Sequence, residues 1–370
     1  MMNSRDSSQI QTPNSDIARR RNDIAIAPRR IIVKEVNWLG DLVMSLPALR
    51  AVRTAWPKAH LAVLVKRELA GFFSGANWVD ETIPYVVRRG AAGIGDRLKI
   101  TRTIREHRFD LAIAFPNSFE SALWPALAGV PHRAGFATNA RSAMLTIKRP
   151  IPRDARDGHQ VDHWLAMVRD TVGAVGSRAD CALAPELGAV ERMKSWLAAR
   201  RKRPDARLVA IASGAAFGPA KEWPGEKYSA LIDILAERWG DECVLVGASA
   251  EKERCERIAA ASRTGAVVAA GATDIAELIA MLSICGAFAG NDSGAMHLAG
   301  ALGIPTVGIF GSTNPYRTGP LGPRAQFIWN KIDCAPCLAR TCRFGHYNCL
   351  TGIAVDDVAA RIGPPGGSPT

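Results

Sequence analysis

The chain has 370 residues, is 48% hydrophobic and carries a formal net charge of +12. That length suits two domains of ordinary size, and no run approaches the roughly 18 uninterrupted apolar residues of a membrane-spanning helix. The basic balance favours anionic partners. No DNA- or RNA-binding motif accompanies it, so a phosphorylated substrate or an anionic membrane face fits better than nucleic acid.

Residues 1–28 are polar and lack an apolar stretch, so they read as a disordered basic leader and not as a secretory signal. Arg30-Ile-Ile-Val-Lys-Glu-Val36 predicts a strand, Asn37-Trp-Leu-Gly-Asp41 a turn, and Leu42 to Ala55 a helix. Strands are expected at Leu61–Val65 and Asp110–Phe115, and helices at about 67–75, 93–107 and 118–128. Strands that alternate with helices predict a parallel sheet covered on both faces. The pattern blurs between about 150 and 205, apart from a helical stretch from His159 to Val175.

At Arg207 the alternation restarts. Strands are expected at 207–212, 242–246, 266–269, 286–290 and 306–310, with helices at about 226–239, 250–262, 274–284 and 294–302. The reading is an α/β protein of two Rossmann-like, doubly wound halves: residues 29–184, and residues 185–355 with a Cys-rich segment at 334–349. Residues 356–370 form a C-terminal segment with a disordered tail.

The unusual residues fall where strands end, which is where open parallel sheets bind ligands. Gly290-Asn-Asp-Ser-Gly-Ala-Met-His297 follows a strand and opens a helix. Asp292 or Ser293 suits the N-cap, Gly294 leaves the backbone bare for a ligand, and the helix start is a seat for phosphate. His297 lies one turn on and can point the same way. Ser213-Gly-Ala-Ala-Phe-Gly-Pro-Ala-Lys-Glu-Trp-Pro224 combines small residues around Gly214 with a cation, Lys221, suited to a diphosphate. It matches neither a Walker A motif nor GxGxxG. Asp41 follows Gly40 in the first turn of the N-terminal half. It fits a helix-dipole partner or a general base.

Arg88, Arg89, Arg97, Lys99, Arg102, Arg105 and Arg108 crowd one region, with Arg133 and Arg141 further on. Such a face is either solvated or a binding surface for oxyanions. Eight cysteines without a secretory signal argue against a disulfide scaffold. Cys243 and Cys285 read as core residues. Cys334, Cys337, Cys342 and Cys349, with His346 among them, fit a structural zinc, free or oxidised thiols, or an iron–sulfur or redox role.

Four segments taken together, Asn37–Ser45, Pro116–Leu123, Gly214–Pro224 and Asn291–His297, resemble the bacterial lipopolysaccharide heptosyltransferases, glycosyltransferase family 9. The Asn-Ser-Phe and Phe-Gly-Pro-Ala-Lys segments resemble the heptosyltransferase II branch in particular. The likeness covers roughly residues 30–350. It implies a GT-B architecture with the acceptor in the N-terminal half and the donor in the C-terminal half. It also implies inverting transfer of L-glycero-D-manno-heptose from ADP-heptose to the heptosylated Kdo–lipid A core. By position it makes Asp41 the catalytic base and Lys221 the holder of the donor diphosphate. Gly214, Asp292, Ser293, Gly294 and His297 become the donor-binding turns, and Glu251 or Glu253 an acid on the ribose hydroxyls. Asn117, Ser118, Arg133 and Arg141 are expected at the acceptor. No DxD motif stands in a suitable turn, so no catalytic cofactor is expected. The protein is expected in the cytoplasm, held peripherally on the anionic inner membrane. Another transferase of this fold, or a non-catalytic nucleotide-binding module, fits the same turns.

Overall fold

The computed structural model describes residues 26–138 and 140–366. The expected leader (except residues 26–28) and the end of the expected tail lie outside the described residues.

Two parallel sheets of six strands each make the frame. The first contains β1 (Arg30–Lys34), β2 (His60–Lys66), β3 (Glu81–Tyr85), β4 (Leu111–Ala114), β5 (His132–Phe136) and β6 (Ile147–Arg149), in the order β3-β2-β1-β4-β5-β6. The second contains β7 (Leu208–Ala212), β8 (Glu242–Leu245), β9 (Val267–Val268), β10 (Ala287–Asn291), β11 (Thr306–Phe310) and β12 (Ala325–Trp329), in the order β12-β11-β10-β7-β8-β9. Counted within each half, the two orders are the same. Each is a doubly wound Rossmann-like sheet, the fold class read from the sequence.

The central strands are apolar because helices cover both faces. All five residues of β7 and of β10 are buried. The strands absent from the sequence reading are β3, β5, β6 and β12. They lie away from the centres of the sheets and carry polar residues or a proline, as in Glu81-Thr-Ile-Pro-Tyr85. The expected helix at 67–75 is a 3₁₀ turn, Arg67–Phe73.

The helices of eight or more residues are α1 (Leu39–Ala55), α2 (Ala92–Glu106), α3 (Phe119–Leu127), α4 (Gln160–Val172), α5 (Leu187–Ala198), α6 (Gly225–Trp239), α7 (Lys252–Ala261), α8 (Ile275–Ile284), α9 (Gly294–Ala301) and α10 (Val355–Ile362). Helix α5 occupies part of the stretch where the sequence pattern blurs. Helix α1 is buried almost all round, from Leu42 to Leu49 without a break. It packs on α4 of its own half and on α9 of the other. One continuous core therefore runs through both halves, joining Leu42, Leu46 and Leu49 to Met296, Leu298 and Met281. Each such side chain contributes roughly 1.5–3 kcal/mol by burial. Polar ties add to the seam. Leu183 N donates to Ala301 O at 2.9 Å, and His159 Nε2 lies 3.1 Å from Gly319 O.

Candidate active site

The strand order reverses between β1 and β4 in one half and between β7 and β10 in the other. At such points the loops leave in opposite directions and open a crevice at the carboxyl ends of the strands. Asp41 sits just beyond β1, and Asn117 and Ser118 just beyond β4. Gly214 and Lys221 follow β7, and Asp292 to His297 follow β10. Packing of α1 on α9 turns the two crevices toward each other.

Asp41 lies in the first turn of α1, with no side-chain N-cap before it. Burial raises its carboxyl to about 6; attraction from Lys221 opposes this and repulsion from Asp292 adds to it. The base candidate of the N-terminal half thus feels both charges of the C-terminal half. Lys221 Nζ lies 2.6 Å from Asp292 Oδ2, and both side chains are largely buried. Thr313 Oγ1 donates to the same oxygen at 2.6 Å. The ammonium also stands 4.9 Å from the centre of the Phe217 ring.

The start of α9 departs from the sequence reading in one way. Ser293 occupies the N-cap position but makes no capping bond. Its hydroxyl is buried without a partner, as are Ser312 Oγ and His297 Nδ1. Three polar atoms near the helix start are therefore left with unspent hydrogen-bonding capacity. Gly294 also answers to packing: a Cβ there would lie 2.9 Å from the Leu39 side chain. Its bareness lets the two halves approach.

His297 is fully enclosed, with Nε2 4.0 Å from Asp292 Oδ1. Burial lowers its pKa to about 4, although Asp292 pulls the other way. The imidazole is neutral at physiological pH, so it can serve a developing charge as an N–H donor and not as a cation.

One buried residue organises the crevice of the C-terminal half, and the sequence reading gave it no role of its own. Asn291 Oδ1 accepts from Trp223 N at 3.0 Å and from Tyr228 OH at 2.7 Å, while Nδ2 donates to Ser213 O at 2.6 Å. It ties the loop after β7 to the end of β10. The sequence signal was the Asn before Asp292, but its partners are scattered along the chain.

The profile of glycosyltransferase family 9 (heptosyltransferase) matches residues 97–348. The chain is 33% identical to lipopolysaccharide heptosyltransferase 2 of Escherichia coli over 81% of its length and 87% of that protein's. It is 29% identical to lipooligosaccharide heptosyltransferase 2 of Haemophilus ducreyi, covering 90% and 98%. The solved structure of the E. coli ADP-heptose LPS heptosyltransferase II superposes with a TM-score of 0.76 at 28% identity, covering 89% and 96%. The chain belongs to glycosyltransferase family 9.

This glycosyltransferase does not use every expected residue at the crevice. Arg141 is fully buried; its guanidinium donates to Phe136 O at 2.8 Å, to Pro116 O, to Ser121 Oγ at 3.0 Å and to Asn117 Oδ1 at 3.1 Å. Arg133 donates to Met144 O and Val130 O at 2.5 Å. It sits near the start of β5, at the amino end of the sheet. Both arginines hold the fold and neither is presented to an acceptor. Arg141 instead shapes the loop that carries Asn117 and Ser118. Asn117 also lies 3.2 Å from His163 Nε2, and Ser118 is exposed.

Of the two acids considered, Glu251 borders the crevice of the glycosyltransferase and Glu253 is exposed. The Glu251 carboxylate accepts from Ala248 N at 2.7 Å and lies against Gly214, where an added Cβ would overlap it. Much of the basic field around α2 is paired internally: Arg88 with Asp96, Arg97 with Glu120 and Arg102 with Glu106.

Proposed function

We propose that this glycosyltransferase moves L-glycero-D-manno-heptose from ADP-heptose to the heptosylated Kdo–lipid A inner core of lipopolysaccharide, with inversion. The observation that carries the reading is the close approach of the turn bearing Asp41 to the helix start of the other half: a Cβ at Gly40 would lie 2.8 Å from His297 Cδ2, and one at Gly294 2.9 Å from the Leu39 side chain. A non-catalytic nucleotide-binding module has no need of a half-buried carboxylate from the opposite half.

In the proposed reaction Asp41 takes the proton of the acceptor hydroxyl. The acceptor oxygen bonds to the anomeric carbon as the bond from that carbon to the diphosphate oxygen breaks, and ADP leaves. A base with a pKa near 6 is ionised at neutral pH yet basic enough to share a proton in the transition state. Charge builds on the departing diphosphate. Lys221, the N–H groups at the start of α9, and the unpartnered Ser293 hydroxyl are the groups assigned to it. Lys221 exchanges Asp292 for the diphosphate when donor enters. These charges suffice in the proposal without a catalytic metal.

The acceptor side is assigned to the carboxyl edge of the first sheet. Trp38 and Ile94 are both 62% exposed and Arg89 is exposed as well, apolar and basic side chains of the kind an anionic lipid face takes. Among the described residues no helix is long and apolar enough to cross a membrane. We assign the protein to the cytoplasmic face of the inner membrane, held peripherally. Sedimentation with anionic but not neutral vesicles tests this.

The deciding experiment is turnover with ADP-L-glycero-β-D-manno-heptose on Kdo₂–lipid A and on the same core bearing one heptose, with and without EDTA. Transfer to the monoheptosylated core alone, unaffected by EDTA, is the expected result. Preference for the bare core moves the protein to the first heptose. Donor binding with no transfer to either acceptor overturns the assignment.

A further inference from the structure

Residues 330–347 contain no helix or strand, and Ala335 is their one buried side chain. Leu338 and Phe344 are exposed. A segment of this length with so little apolar burial does not order itself by packing. Yet it is bonded to the loop that carries Lys221. Ala220 N donates to Arg340 O at 3.0 Å, and Leu338 N donates to Ser312 O at 2.8 Å. Gly218, at φ +139°, faces Arg340 O so closely that a Cβ would lie 2.6 Å from it. The Arg340 guanidinium stacks 5.1 Å from the centre of the Phe217 ring, the ring that Lys221 also approaches. The segment is a strap over the donor loop.

Soft donor atoms supply what packing does not. Cys334, Cys337, Cys342, Cys349 and His346 line one small cavity, together with Ala220 and Ser312 of the strap's own contacts. Cys334 Sγ lies 4.0 Å from His346 Nε2. Arg343 lines the same cavity. Among the described residues no three His, Cys, Asp or Glu side chains already converge as a ligand shell. The thiols surround the space without closing on its centre, and a bound ion must draw them in.

We propose that Cys334, Cys337, Cys342 and Cys349 bind one thiophilic divalent ion of the zinc type, and that this ion fixes the strap holding the Lys221 loop. Thiolates are the strongest protein ligands for such an ion, and binding free energy of this kind is available to order a segment that lacks a core. The ion touches no reacting atom. It acts on the donor through Arg340, Leu338 and Ala220, so its loss is felt as donor affinity. This second part rests on the assignment of the Lys221 loop to the donor, whereas the metal content does not.

The test is elemental analysis of the purified full-length chain, followed by titration with ADP. About one zinc or iron ion per chain is expected, lost in Cys337→Ser and Cys342→Ser. Wild-type protein stripped by a chelator under reducing conditions gives the same comparison if those variants do not fold. Stripping is expected to weaken ADP binding about tenfold through lost preorganisation, with recovery on adding Zn²⁺. Protein that contains no metal and takes up neither Zn²⁺ nor Fe²⁺ under reducing conditions overturns the site. Metal that binds and leaves ADP affinity unchanged overturns its action on the strap. ADP that fails to bind even the loaded protein counts against the donor assignment and leaves the metal site standing.

Discussion

Gly40 of the N-terminal half faces the ring of His297 of the C-terminal half so closely that a Cβ at residue 40 would lie 2.8 Å from His297 Cδ2. The contact joins the turn that carries Asp41 to the helix that carries the donor-side groups. His297 is walled in and has no free direction to retreat. Gly40→Ala therefore forces α1 and α9 apart by a few tenths of an ångström or more. Misplacement on that scale is expected to lower kcat/KM by roughly 10- to 100-fold. ADP affinity, which depends on one half, is expected to hold. Equal loss of both is the result that breaks this account.

Asp41→Asn separates chemistry from stability. Removing the base is expected to lower turnover on the order of 100-fold or more. The same change is expected to stabilise the fold at neutral pH. The Asp41 carboxyl is raised from 3.8 to about 6, so between those values the folded chain holds more proton than the unfolded chain. Its stability contribution is complete below about pH 4 and is lost as pH rises through 6. Asn removes that loss, a gain on the order of 1–3 kcal/mol at pH 8 that vanishes near pH 4. Urea unfolding of both proteins at the two pH values checks the sign.

The pH profile of the wild-type enzyme follows from the same group. Transfer requires ionised Asp41, so kcat/KM is expected to fall below about pH 6 with unit slope. His297, held to about 4 by burial, contributes no step in that range. An acid limb that persists unchanged in Asp41→Asn assigns it to another group.

What the sequence made legible follows from where information is local. The central strands are unbroken apolar runs, as in Leu208-Val-Ala-Ile-Ala212, and their ends are marked by Gly, Asn, Asp and Ser. Asp41, Lys221 and Asp292 all follow the carboxyl ends of such strands. Outer strands such as His132-Arg-Ala-Gly-Phe136 lack the pattern because they meet solvent. Asn291 escaped because its partners, Ser213, Trp223 and Tyr228, are tertiary. Arg141 was misread for the converse reason. An arginine near a basic cluster reads as surface, and only the fold shows four acceptors closing around it.

Arg141 accordingly has a stability role that substitution exposes. Arg141→Ala leaves Phe136 O without its donor inside the protein, while Pro116 O keeps the Ser121 hydroxyl at 2.8 Å. One orphaned buried carbonyl costs about 1–3 kcal/mol, and a loss of that order is expected by denaturant midpoint. Arg141→Lys is expected to recover only part, because one ammonium does not span the four acceptors. Lost turnover at unchanged stability is the outcome a direct acceptor contact requires.

Lys221 and Asp292 form the largely buried pair at the donor turn, and the pair predicts a pattern across three variants. Lys221→Met leaves Asp292 enclosed with Thr313 alone to bond it. Breaking a buried pair from one side costs roughly 3–5 kcal/mol. Adding Asp292→Asn removes the stranded charge and is expected to restore most of that stability. Donor affinity follows a different course. Both the single and the double variant lack the ammonium assigned to the diphosphate, so ADP binding is expected to stay weaker by about tenfold or more, the scale of one charge-assisted hydrogen bond. Urea midpoints and ADP titrations on the same preparations separate the two quantities. If the double variant regains ADP affinity together with stability, Lys221 serves the fold and another group meets the diphosphate.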